Sequence, residues 1–228
     1  MNLVPYVDIH THKPEIEEKT ITVQNILPNE KIEKFSGRNF YSVGLHPWNI
    51  SAEEVNDVLI SMVKEALEND HVCFVGECGL DKLKGGDFSE QIRVFRAHAV
   101  LADEFKRPLI IHCVKAYNEI LEIHQKMRPE MPWIFHGYTG GLELTKQFGK
   151  RGFLFSFGKI LFNTRAKAIE SLKWLPMERI FFETDEAKMS IQEIYNKAAK
   201  LKNVTPYLLA QEVWNNFNRV ESSLISRF

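Results

Sequence analysis

The sequence predicts an α/β protein folded as a distorted (β/α)8 barrel of the TIM type, and three observations predict it. Eight short β-branched and aromatic runs recur along 228 residues. Segments of helical period alternate with them. Several runs are continuously apolar, as parallel strands covered on both faces require. One connection departs from the pattern: between His12 and Thr20 there is no room for a helix. Either the second strand is not parallel to the first, or the barrel is distorted at a shortened first β-to-β connection. A doubly wound open sheet competes with the barrel, although no Gly-rich phosphate loop follows the first strand.

The strands are expected at V-D-I-H-T-H (7–12), T-I-T-V-Q-N-I (20–26), F-Y-S-V-G-L-H-P (40–47), V-C-F-V-G-E-C-G-L-D (72–81), P-L-I-I-H-C (108–113), P-W-I-F-H-G (132–137), F-L-F-S-F-G (153–158) and I-F-F-E-T-D (180–185). Ser51, with Glu54 three residues on, forms a capping-box pattern ahead of a helix running to about Asn69. In the segment 88–106, Ile92, Phe95, Ala99, Ala102 and Phe105 share one helical face. Further helices fit 115–127, 141–150, 164–174, 190–201 and 206–218.

Nothing in the composition marks an internal boundary, so residues 1–228 are expected to form one domain. The net charge of -1, from 29 basic and 30 acidic residues, argues against a protein that coats nucleic acid non-specifically. Cys73, Cys78 and Cys113 match no zinc or redox spacing and read as free thiols of a reducing compartment. With no signal-peptide pattern and no membrane-length apolar run, a cytoplasmic protein is expected. No obligate protein partner is evident.

The apolar runs end in polar residues of one kind. Glu77 follows C-F-V-G, His112 follows L-I-I, His136 follows W-I-F, Asp185 closes F-F-E-T-D, and the first run contributes His10 and His12. In a parallel barrel all strand C-termini meet at one mouth. The spacings from Glu77 to His112 and from His112 to His136 each suit one βα unit. That from His136 to Asp185 suits two.

Four histidines and two carboxylates exceed what one tetrahedral zinc takes, and suit two divalent ions bridged by a carboxylate. Zinc, manganese and magnesium all accept such donors. A metal pair lowers the pKa of a bound water and clamps a phosphoryl or carbonyl oxygen, and Asp185 is placed to take a proton from that water.

A lone H-x-H is more often a surface pair or a satisfied core pair than a metal site. A histidine after I-I or I-F is harder to dismiss, because burying an unpaired imidazole costs free energy. Asp8 shares the face of His10 and His12 but lies roughly 6–7 Å deeper, so it is expected to orient a histidine from behind. His124 is expected to be exposed, His71 to lie in a loop and His98 beside an apolar helix face, none with a role. Cys78 and Cys113 are expected to be packing residues. Glu183 alternates with Asp185 and faces either the mouth or a helix.

At these residues the sequence resembles the TatD family of metal-dependent hydrolases, within the amidohydrolase-like barrel superfamily. D-I-H-T-H (8–12), G-L-H-P-W (44–48), G-E-C-G-L-D (76–81), P-L-I-I-H-C (108–113), H-G-Y-T-G-G (136–141), S-F-G (156–158) and E-T-D (183–185) follow in the family's order. The resemblance implies a distorted barrel binding two divalent metals through His10, His12, Glu77, His112, His136 and Asp185, with Glu77 shared. It also implies a deoxyribonuclease or phosphodiesterase, acting on DNA or another phosphoester.

The chain departs from the family pattern at the rim. Cys113-Val114-Lys115 replaces the usual Ser-Arg, and Glu186-Ala187-Lys188 replaces a Ser-Pro loop. Hydrolysis of an amide or ester in a small molecule, and a barrel that holds metal without turnover, remain the alternatives.

Overall fold

The computed structural model describes residues 4–13, 19–30 and 39–221. Eight strands form one sheet in sequential order: β1 (Tyr6–Thr11), β2 (Thr20–Ile26), β3 (Asn39–Val43), β4 (Val72–Asp81), β5 (Leu109–Val114), β6 (Trp133–Phe135), β7 (Leu154–Phe157) and β8 (Ile180–Phe182). Every neighbouring pair is parallel. A bridge between Thr11 and Asp185 joins the last strand end to the first, so the sheet nearly closes on itself. Sequential order with closure is a (β/α)8 barrel and excludes the doubly wound sheet, whose strand order reverses partway.

Around the barrel lie α1 (Glu53–Ala66), α2 (Phe88–Phe105), α3 (Tyr117–Met127), α4 (Leu142–Gly149), α5 (Ala168–Trp174), α6 (Ile191–Lys202) and α7 (Pro206–Glu221). Despite the short first connection β2 runs parallel to β1, with Tyr6 opposite Thr20. The distortion takes another form: the register of that pair slips between Asp8 and Thr11.

Helix starts follow the side chains that satisfy free N–H groups. Asp87 accepts from the backbone N–H groups of Ser89 and Glu90 at the head of α2, and Ser190 forms a capping box with Glu193 at the head of α6. The Ser51 capping box is not formed. Helix α1 starts one residue later, at an uncapped Ala52, because the fully buried Asn56 takes hold of Ser51 instead. Its Oδ1 accepts the Ser51 N–H (3.1 Å) and its Nδ2 donates to the Ser51 carbonyl (3.0 Å).

The core fills the barrel and the gap to the helices, and it is rich in aromatics on the β5–β7 side. Trp133, Phe135, Phe148, Phe153 and Phe155 are all essentially inaccessible. Phe135 stacks on Phe153 with centroids 5.2 Å apart. His124 belongs to this cluster and is not exposed as expected: it is half-buried, 4.4 Å from the Phe153 ring and 5.0 Å from Trp133. The period that places it on α3 does not show that the neighbouring strands reach over it.

Two features fix β4 and β3 where the polar residues emerge. Gly79 lets β4 approach β5 so closely that a Cβ there would lie 1.9 Å from the His112 carbonyl oxygen. His98 of α2 is fully buried, and its Nε2 accepts the N–H of Leu45 (3.0 Å) while Nδ1 faces the Val94 carbonyl (2.8 Å). Both ring nitrogens are thus used by one neutral tautomer.

Burial pushes the His98 pKa down to about 4. The unfolded chain, with its histidine near 6.5, then binds more protons than the folded one. The stability His98 contributes is present above pH 6.5 and lost as pH falls toward 4, by about 3 kcal/mol. Urea unfolding of metal-free protein at pH 7 and pH 4.5 should show that loss, and His98→Gln should flatten the slope. An unchanged slope in the variant would assign the acid sensitivity elsewhere.

Candidate metal centre

All six residues picked out at strand ends come to the C-terminal mouth of the barrel. His10 lies within β1 and is fully buried; His12 follows that strand and is partly exposed. Glu77 lies within β4 and His112 within β5, His136 follows β6, and Asp185 sits beyond β8.

Glu77 is the hub. Its Oε2 is 3.2 Å from His10 Nε2 and 3.4 Å from His12 Nε2. Its Oε1 is 2.8 Å from His112 Nδ1, 2.7 Å from His136 Nε2 and 3.1 Å from His46 Nε2. One carboxylate therefore faces two sets of imidazoles through its two oxygens. Asp185 stands at the outer side, its Oδ1 3.7 Å from His12 Nε2.

Carboxylates stand behind two of these rings. Asp81 Oδ2 is 3.5 Å from His112 Nε2, and Glu183 Oε1 is 3.4 Å from His136 Nδ1. Neither contact has hydrogen-bond geometry: His112 Nε2 and His136 Nδ1 are buried without a hydrogen-bond partner. The near nitrogens face Glu77 Oε1, and since a carboxylate oxygen only accepts, the 2.8 Å hydrogen bond from His112 Nδ1 carries its proton on Nδ1. In addition, Nδ1 of the buried His10 has no hydrogen-bond partner, and its Nε2 faces Glu77 outside hydrogen-bond geometry. The donor set fits a divalent metal. Two groups bring three ligand atoms within 4.8 Å of one another: His10, His12 and Glu77, and His46, Glu77 and His112.

His46 is a site residue to which sequence reasoning gave no role, although it stands in G-L-H-P-W. Its Nδ1 accepts the N–H of Trp48 (3.1 Å), so in the neutral ring the proton is on Nε2, facing Glu77. Burial pushes its pKa down and favours that neutral form. In that tautomer His46 is a donor to the Glu77 carboxylate.

Protons collect on the site as a cation would. Burial alone would raise the Glu77 pKa, but the imidazoles of His136, His10 and His112 outweigh it and hold the carboxyl well below its usual range. Burial likewise works against a charged His136, yet Glu77 and Glu183 raise it well above an ordinary histidine. The hydrogen bond to Glu77 raises His12. Metal must displace these protons, so its affinity should increase with pH.

Asp8 does not orient a histidine ring. Its Oδ1 accepts the N–H of Thr184 (3.0 Å) and its Oδ2 the Thr184 hydroxyl (2.6 Å). The register slip in β1 and the close approach of the β8 end put Thr184, not an imidazole, within its reach. Burial pushes the Asp8 carboxyl up to about 7 in spite of these bonds. Its grip on Thr184 sets the turn in which Asp185 adopts φ 50°, with the Asp185 N–H bonded to the His10 carbonyl (3.0 Å).

Glu183 is buried behind His136 and accepts the Gly137 N–H (2.6 Å). Cys78 is fully buried, and Cys113 lies beside His112, its thiol pushed up to about 12 by burial. His71 lies in an exposed turn. Only Glu186–Met189 separates Asp185 from the Ser190 cap of α6, which confirms the short rim on this side.

A parallel eight-stranded barrel with histidines and carboxylates gathered at its C-terminal mouth defines a metal-dependent hydrolase. The chain belongs to the TatD family: the model described as TatD related DNase matches residues 17–222. That match starts beyond His10 and His12, whose place in the site rests on the geometry.

An uncharacterised metal-dependent hydrolase from Buchnera aphidicola is 27% identical over 95% of this chain and 91% of its own length. A protein from Citrobacter koseri named 3'-5' ssDNA/RNA exonuclease TatD is 26% identical over 82% of this chain and 74% of its own. Among solved structures, the TatD homologue YJJV from Escherichia coli superimposes with a TM-score of 0.75 at 20% identity. It covers 96% of this chain and 99% of that one. No helix among the described residues is long and apolar enough to cross a membrane.

Proposed function

We propose that the enzyme hydrolyses phosphoester bonds, those of nucleic acid among them. His10, His12, Glu77, His112, His136 and Asp185 would hold two divalent ions, zinc, manganese or magnesium, with Glu77 shared. The observation that carries this reading is the division of the Glu77 oxygens, Oε2 toward His10 and His12 and Oε1 toward His112 and His136. The exonuclease name of relatives supports the substrate class. Bound divalent ions supply an acidified water and neutralise charge on a phosphoryl oxygen.

The chain's own groups supply the rest. Asp81 and Glu183 stand behind His112 and His136, at 3.5 and 3.4 Å, and limit how both rings can turn. His46 turns its Nε2–H to Glu77 Oε1 (3.1 Å) and, with Trp48 and Asp185, lines a cavity of about 540 Å³. Asp185 is the more exposed of the two carboxylates in the set, and it is the group placed to accept a proton from the attacking water.

A second reading, hydrolysis of an ester or amide in a small molecule, is favoured by one observation. The exposed carboxylates Glu30 and Glu186 line the same cavity. Acidic groups at the mouth repel a polyanion.

A panel decides between them: a phosphodiester, a phosphomonoester, a single-stranded oligonucleotide, a carboxylic ester and an amide, each with manganese, magnesium or zinc. Phosphoester turnover is the expected result. Turnover confined to ester or amide would replace the first reading by the second. Stoichiometric metal without any turnover would leave a barrel that binds metal only.

A further inference from the structure

We propose that the side-chain amide of Asn25 donates a hydrogen bond to an oxygen of the reacting group, which makes it a catalytic residue of this chain. The inference rests on the cavity above being the site of hydrolysis. Asn25 lies in β2, is only 8% exposed and lines that cavity beside Glu77. Its Oδ1 accepts two hydrogen bonds, from the backbone N–H of Glu77 (2.6 Å) and from the buried Ser42 hydroxyl (3.0 Å). A backbone N–H only donates, so the group facing it is the amide oxygen. Turning the amide over would set its NH2 against the Glu77 N–H and orphan both.

The oxygen is thus fixed, and so is the other end. The NH2 group points away from Glu77 N and Ser42. None of the hydrogen bonds to described residues uses it, and the space left to it is the cavity. The nitrogen is not among the enclosed atoms without a partner, so it reaches the cavity that Asn25 lines, where an oxygen of a ligand can replace solvent as its acceptor.

The position has chemical meaning. The same side chain that anchors the Glu77 backbone turns its N–H groups to the cavity beside Glu77, whose Oε1 is already faced by His46 Nε2 (3.1 Å). A rigid donor beside that carboxylate suits an oxygen that gains negative charge, on phosphorus or on carbon. Because the amide is held by the backbone of Glu77 itself, any shift of that residue moves the donor with it.

Asn25→Asp keeps an oxygen for Glu77 N–H and Ser42 but replaces the donor by an acceptor. Asn25→Ala removes both without adding charge. Two probes apply to manganese-loaded protein: calorimetric binding of inorganic phosphate, and hydrolysis of whichever ester or amide the wild type turns over. Metal content and thermal midpoint are measured on each variant. Both substitutions are expected to weaken phosphate binding and kcat/KM by about ten- to a hundredfold, with metal content retained.

Values within about twofold of wild type would overturn the role of Asn25 and leave the phosphoester reading standing. Loss in Asn25→Asp alone would mean charge repulsion, and loss in Asn25→Ala that only tracks lost metal would mean an effect through Glu77; either overturns the proposal. If the wild type hydrolyses an amide but does not bind phosphate, and both variants slow it, Asn25 stands and the phosphoester reading falls. A wild type that neither binds phosphate nor hydrolyses any probe overturns both.

Discussion

Replacing Glu77 by alanine is expected to remove metal and activity together. The carboxylate is 4% exposed and within 3.4 Å of five imidazole nitrogens, so it is the one anion common to both halves of the site. Without it, His112 and His136 are left 3.3 Å apart, nitrogen to nitrogen, with no negative charge between them to offset a cation. On the proposed function, two neighbouring divalent ions would repel each other strongly at this depth, and a shared carboxylate would offset that repulsion. Elemental analysis of Glu77→Ala purified without chelator should therefore show less than half the wild-type metal. Turnover should fall by at least about a thousandfold.

The metal-free proteins provide a second measurement. In the wild type Glu77 keeps His136 and His12 protonated above their ordinary range. In the variant both should titrate lower, visible by NMR of the imidazole protons. Full metal occupancy in Glu77→Ala would remove Glu77 from the ligand set and with it the division of oxygens on which the proposed function stands.

The parts of this fold that were open to sequence reading share one property: they depend on contacts local in the chain. The β-branched run T-I-T-V-Q-N-I and the largely apolar run V-C-F-V-G-E-C-G-L-D locate β2 and β4 to the residue, because β-branched and apolar side chains suit strands covered on both faces. The pairing of β1 with β2 is a different matter. Eight residues between Thr11 and Thr20 allow either direction, and only the register Tyr6 with Thr20 decides it.

The site divides in the same way. Strand ends bring His10, Glu77, His112 and His136 together by topology alone. The same rule applied to the ends of β2 and β3 returns Asn25 and His46. A search for metal ligands passes over both, since one is an amide and the other is a ligand or a donor according to which nitrogen Trp48 occupies. Strand alternation misplaces Asp8 and leaves Glu183 undecided because it holds only as far as the strand itself. Strand β8 stops at Phe182, and the chain then turns with Asp185 at φ 50°. Glu183 therefore backs His136 while Asp185 meets His12, and Asp8 finds Thr184 where a histidine was expected.

Asp185→Asn is expected to separate turnover from binding. The substitution is unusually clean here, because asparagine tolerates the left-handed conformation at φ 50° and changes one atom of the side chain. The backbone bonds of that turn, from Asp185 N–H to the His10 carbonyl and from the Thr11 hydroxyl to the Asp185 carbonyl, do not involve the carboxylate. The fold and the Glu77 cluster should persist, and a thermal midpoint close to that of the wild type would show it. What is lost is an anionic oxygen next to His12, at a place 30% open to the cavity.

A carboxylate that accepts a proton in the transition state contributes roughly a hundred- to ten-thousandfold to rate. So kcat should drop by that order while KM moves only a few-fold, the pattern of an interaction made in the transition state and not with bound substrate. A drop in kcat that matches loss of metal, ion for ion, would instead make Asp185 a ligand with no proton to carry. Unchanged turnover at full metal occupancy would mean that the reaction leaves this side of the site unused, and the proton would have to reach solvent through a group other than Asp185.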